Sequence, residues 1–121
     1  MYLICGEALF DFFLSKANGP GSLQFDARAG GSPFNVAIGI VRQGGKSGLL
    51  TGMSNDLLGA RLAEVLQHEG VETSYLVRSG RRTTLSLIDL SEAGVPEYAF
   101  YGLGSTDCSL SVDDLPVLDD E

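Results

Sequence analysis

A chain of 121 residues, 44% of them apolar and 20% charged, has the balance of one globular domain with a modest core and no room for a second, since domains most often run to about 100–150 residues. Its net charge of −8 argues against an extended nucleic-acid partner, which demands clustered Lys and Arg, and it holds no apolar run of roughly 18 residues that would enter a membrane. Cys5, Cys108 and the single His68 stand in no metal-ligand spacing, which fits a reducing, cytoplasmic setting.

Residues 2–6 are apolar, lack a basic flank and a small-residue cleavage site, and read as a buried strand rather than a signal peptide. Phe10-Asp11-Phe12-Phe13-Leu14, the breaker cluster Asn18-Gly19-Pro20-Gly21-Ser22, and Leu23 to Arg28 read as a hairpin that leaves the core after the first strand. Ser32-Pro33 then offers an N-cap and a helix-compatible first position. The apolar run from Phe34 to Val41, ending at Gln43-Gly44-Gly45, predicts a well-buried helix. Gly48 to Met53 predicts a strand. Asp56 is placed to cap a second helix through Glu69, with Leu58, Leu62, Val65 and Leu66 on one face and Gly70 as its stop.

Thr83 to Leu90 and Glu97 to Tyr101, joined by Ser91 to Pro96, read as two more strands that either pair with the early hairpin or extend the sheet. Val112 to Pro116 resembles the approach to another element, and Asp113, Asp114, Asp119, Asp120 and Glu121 make the last stretch a solvated acidic tail. The order of elements implies an α/β fold, a mainly parallel sheet flanked by helices. Such a sheet normally takes more strands than these, so the chain is expected to be incomplete.

The stretch that points to chemistry is Arg28-Ala29-Gly30-Gly31-Ser32-Pro33-Phe34-Asn35-Val36-Ala37, a double glycine opening an apolar helix. Such a junction presents backbone N–H groups and the positive helix end to a polar ligand at close range. The same glycines also suit a turn chosen only for its dihedrals. Asn35, an amide on the first turn of an apolar helix, is costly to bury alone, so it either bonds a neighbouring loop or faces a ligand.

Asp11 among aromatics is either an exposed strand residue or a carboxylate accepting from vicinal hydroxyls, the usual equipment for a polyol. Arg78, Arg81 and Arg82 have the ordinary reading of solvated charges. His68 suits the C-terminal end of a helix dipole. Tyr98, Phe100 and Tyr101 form either an aromatic wall over a ligand or cross-strand packing. No phosphate loop of the Gly-x-x-x-x-Gly-Lys-Ser/Thr type, hydrolase triad or metal cluster can be assembled.

Gly6-Glu7-Ala8-Leu9-Phe10-Asp11, the glycine junction through Ala37, and Asn55-Asp56-Leu57-Leu58-Gly59 come in an order that closely resembles the N-terminal part of the ribokinase-like (PfkB) carbohydrate kinases, especially bacterial fructokinases. Leu66, Gly70-Val71, Thr73, Thr83-Thr84 and Tyr98-x-Phe100-Tyr101 follow in the same order, so the resemblance spans nearly the whole chain.

The resemblance implies transfer of the γ-phosphoryl group of ATP, with Mg2+, to a primary hydroxyl of a small-molecule sugar. It implies that Asp11, Gly30, Gly31 and Asn35 hold the sugar, with Phe100 as a further contact. Strands over about 10–29, with 83–101 as a second candidate stretch, would form a small β lid and a homodimer contact, which would account for apolar Phe13 or Phe25. The family's catalytic aspartate lies in a Gly-Ala-Gly-Asp-type motif that does not occur in residues 1–121. The expectation is therefore a sugar-binding portion that is inactive alone, with no catalytic residue of its own.

Gly102, where relatives acting on acidic or keto sugars carry arginine, argues against an acid sugar, and Ser54 replaces a common glycine. Ribose, 2-keto-3-deoxygluconate or a nucleoside as substrate, or a non-enzymatic sugar-binding or dimerising module, stay open as alternatives.

Overall fold

The computed structural model describes residues 1–90 and 95–119. Its elements are β1 (Tyr2–Cys5), β2 (Leu9–Ala17), β3 (Leu23–Gly30), α1 (Ser32–Arg42), β4 (Ser47–Ser54), α2 (Leu57–Glu69), β5 (Leu76–Ser79), β6 (Thr84–Leu90) and β7 (Pro96–Tyr101), with 3-10 turns at Thr106–Cys108 and Val112–Asp114. The Ser91–Pro96 connector lies mostly outside the described residues, as do Asp120 and Glu121.

The strands form two sheets rather than one. A three-stranded parallel sheet runs β1-β4-β5, and a four-stranded sheet runs β3-β2-β6-β7. In the second, the two antiparallel hairpins join through a parallel β2–β6 pairing. The later strands therefore pair with the early hairpin and do not extend the parallel sheet.

Every residue of β4 is buried, as a central parallel strand covered on both faces should be. Leu49 and Met53 enter the core with Phe34, Ala37 and Ile38 of α1, Leu62 and Leu66 of α2, and Ala8 and Phe10 near the start of β2. The opposite face of β4 is covered by the turn at Thr106–Cys108. Thr106 Oγ1 donates to the Gly52 carbonyl at 3.0 Å, and a Cβ at Gly52 would collide with the Thr106 carbonyl.

Three details depart from the sequence reading. The N-cap of α1 is Gly31, at φ 103° and ψ 133°, so Ser32 and Pro33 are already helical and no side chain caps this end. Helix α1 buries only one stripe, because the parallel sheet covers one side of it: Phe34, Ala37 and Ile38 are inside while Val36 remains 47% exposed. Leu76–Ser79 forms β5 on the edge of the parallel sheet. Its four residues are too short a run to declare a strand without the pairing partner β4.

On β2, the two-residue period sends Phe10, Phe12 and Leu14 to one face and Leu9, Asp11 and Phe13 to the other. Phe12 meets Phe25 edge-on at 6.2 Å between ring centroids, while Phe10 joins the main core. Asp11 is thereby separated from the aromatic residues that flank it in sequence. Among the described residues no helix is long and apolar enough to cross a membrane.

Candidate functional site

The parallel pairing of β2 with β6 sets Asp11 opposite Ser86, and the antiparallel pairing of β6 with β7 sets Ser86 opposite Phe100. Arg28 of β3 completes the row on the other side of Asp11. Directly paired residues share a face of a sheet, so Arg28, Asp11, Ser86 and Phe100 line one side of four neighbouring strands. Asp11 and Phe100 are two strand spacings apart, about 10 Å.

Asp11 is only partly buried, whereas Ser86 is 1% exposed and donates its hydroxyl to Asp11 Oδ1. The other carboxylate oxygen lies beside Gly30, where a Cβ would stand 2.8 Å from Oδ2. Oδ2 has no hydrogen-bond partner among the described residues, yet it is not sealed from solvent, because no buried side-chain polar atom is left unpaired. Arg28 does not neutralise Asp11. Its Nε donates to Asp26 Oδ2 at 2.9 Å, and Asp26 holds the guanidinium pKa above its usual value through that bond.

Gly31 turns the chain from β3 into α1. Its φ of 103° suits glycine, and a Cβ there would come 2.8 Å from the Glu7 carbonyl. Gly6 makes room in the same way for the ring of Pro33. The glycines thus pack the β1–β2 connection against the start of α1. Pro33 lacks an N–H, and no side chain caps the backbone donors at this end of α1.

Asn35 lies one turn along from Gly31, whose carbonyl accepts its backbone N–H at 2.9 Å. Its side chain is exposed and makes no hydrogen bond among the described residues, so the burial cost anticipated from the apolar helix does not arise. Phe100 is 69% exposed and stacks on Tyr98, with centroids 6.5 Å apart and planes 12° from parallel. Asp11, Gly30 and Gly31 are therefore drawn together, with Asn35 one helical turn and Phe100 two strands away.

Sequence reasoning missed Ser86. Its signal was the alternation Thr84-Leu85-Ser86-Leu87, which puts two hydroxyls on one face of β6, but nothing local announced its partner. It also saw only half of Asp56. Besides capping α2 through the Gly59 N–H at 2.8 Å, Asp56 accepts from Thr83 N at 2.9 Å and Thr83 Oγ1 at 2.7 Å. Burial alone would push this carboxyl up. The bonds from Thr83 and Gly59, with the Ser54 hydroxyl, outweigh it and hold the pKa below the usual carboxylate value.

Ser54, the departure from the family's glycine, spans the same junction: its Oγ donates to the Arg81 carbonyl at 2.6 Å and accepts from Asp56 N at 3.0 Å. Arg81 and Arg82 are exposed, and Arg78 reaches the Ser54 carbonyl at 3.4 Å. His68 lies exposed in the last turn of α2.

Among the described residues no three His, Cys, Asp or Glu side chains stand together as metal ligands. None of these residues is assigned to Mg2+ or its nucleotide.

A parallel β/α core beside a second, mixed sheet, joined by a glycine junction next to a carboxylate, is the architecture of the ribokinase-like α/β proteins. The chain belongs to the pfkB family of carbohydrate kinases, whose family model matches residues 4–113. It is 36% identical to a fructokinase of Rhizobium leguminosarum bv. trifolii over 121 residues, which is 100% of this chain and 36% of that protein. It is 40% identical to an Escherichia coli fructokinase over 88 residues, covering 72% of this chain and 29% of the relative. In structure it is similar to Xylella fastidiosa fructokinase, with a TM-score of 0.87 and 29% identity over 95% of this chain and 36% of the other. An ATP-bound form of that enzyme superposes with a TM-score of 0.86 and 29% identity, again over 95% of this chain and 37% of the other. The chain spans about a third of the length of the relatives it matches.

Proposed function

We propose that this chain is the acceptor side of a sugar kinase, which holds a ketohexose such as fructose for transfer of the γ-phosphoryl group of ATP to a primary hydroxyl. The observation that supports this most is the state of Asp11: one oxygen engaged by Ser86, the other accessible beside Gly30, and no cation paired with it. Neighbouring hydroxyls of a sugar donate to such an oxygen without meeting a competing salt bridge.

Asn35 offers both a donor and an acceptor one turn into α1, and Gly30 lets the ligand approach the backbone. Phe100 presents an aromatic face to the apolar side of the ring. The sheet β3-β2-β6-β7 acts as the lid, excluding water that would otherwise take the phosphoryl group. Family membership and the ATP-bound relative support ATP as the phosphoryl donor, and Mg2+ is proposed as its companion ion. Exposed Leu23 and Phe25 on β3 support a homodimer through the lid. The compartment that fits this reading is the cytoplasm.

Calorimetric titration of the full protein carrying this chain with fructose, ribose and 2-keto-3-deoxygluconate tests the proposal. Fructose is expected to bind tightest, and Asp11→Ala to weaken it about 10- to 100-fold, the range for hydrogen bonds to a charged acceptor. Unchanged fructose affinity in Asp11→Ala would overturn the assignment.

A further inference from the structure

Ser86 enters neither the family motif nor the set of residues expected to touch sugar, yet it is the side chain that holds Asp11. At 1% exposure its hydroxyl is out of reach of bulk water, and a buried hydroxyl needs a partner. Asp11 Oδ1 is that partner, and the only one among the described residues.

A carboxylate turns easily about its last bond, where the torsional wells are broad. Gly30 does not stop this rotation, because it places no side chain against Oδ2. Arg28, the neighbour on the other side of the row, is engaged by Asp26. What fixes the plane of the Asp11 carboxylate is the bond from Ser86. Fixing it before the ligand arrives removes part of the ordering cost of binding.

We propose that Ser86 is a positioning residue for sugar binding: by holding Oδ1 it presents Oδ2 of Asp11 to the hydroxyls of the ligand. The inference rests on the reading of Asp11 as the sugar-binding carboxylate, and its test separates the two. In the full protein, fructose affinity is measured by calorimetry for the parent, Ser86→Ala, Asp11→Ala and the double variant, and KM and kcat are measured for the parent and Ser86→Ala.

Ser86→Ala is expected to weaken fructose binding about tenfold, raising KM more than it lowers kcat, and to have no further effect once Asp11 is alanine. Equal losses from Ser86→Ala in both backgrounds would overturn the positioning role while leaving Asp11 in place. Full affinity in Asp11→Ala would instead remove the underlying reading.

Ser86→Thr and Ser86→Val add the same bulk and differ in the hydroxyl. Threonine binding tighter than valine supports the inference; equal binding overturns it. A readout independent of sugar is the ligand-free crystal structure of Ser86→Ala, in which the Asp11 carboxylate is expected to leave its parental orientation. Retention of that orientation would also overturn the inference.

Discussion

The two adjacent glycines of the junction do different work, and single substitutions separate them. Gly30 has no left-handed backbone requirement; what it supplies is space beside Asp11 Oδ2. Gly30→Ala is expected to push the Asp11 carboxylate out of the orientation held by Ser86, at little cost in stability, while lowering fructose affinity about as much as Ser86→Ala does. Gly31 has a φ of 103° and faces the Glu7 backbone, so neither the turn nor its neighbour yields. Gly31→Ala is expected to cost about 1–3 kcal/mol of stability. Urea melts paired with fructose titrations check both, and a Gly30→Ala protein with parental affinity would show that Oδ2 does not face the ligand.

Between elements, Asp56 ties the start of α2 to the start of β6. One carboxylate caps the helix and anchors Thr83, the residue that leads into the strand carrying Ser86. Asp56→Ala is expected to destabilise by about 2 kcal/mol, from a lost cap and an abandoned Thr83 donor.

The folded pKa of Asp56 is lowered, so above the ordinary carboxylate range of about 4 its contribution is full. As pH falls through that range toward the lower folded value, the unfolded chain takes up the proton first and the contribution is lost. The difference in urea midpoint between the parent and Asp56→Asn should therefore shrink from pH 7 to pH 3. A difference constant with pH would dissociate Asp56 charge from stability.

At the scale of the molecule, the described residues include the Asp11 site proposed for the acceptor and no group assigned to the nucleotide. The 121-residue chain alone is expected to release no ADP from Mg-ATP with fructose. Turnover abolished by Asp11→Ala would contradict this. The homodimer has its own check in sedimentation velocity of the full protein, where replacing Leu23 and Phe25 by serine is expected to shift a dimer toward monomer. A parent that sediments only as monomer would remove the lid contact.

The sequence determined what depends on neighbours along the chain. Period and punctuation gave the early hairpin, both helices, the Asp56 cap and the α/β class, and the ordered motifs singled out Asp11, the glycines and Asn35 as candidates. Tertiary structure decided what depends on pairing between distant segments. The short β5 acquires its form only against β4, and the N-cap fell to Gly31, where the Glu7 backbone leaves no room for a Cβ. The bond from Ser86 to Asp11 joins residues 75 positions apart. It exists because β2 and β6 lie parallel in one register, and hydrogen bonding across strands has no trace in the local pattern of either strand.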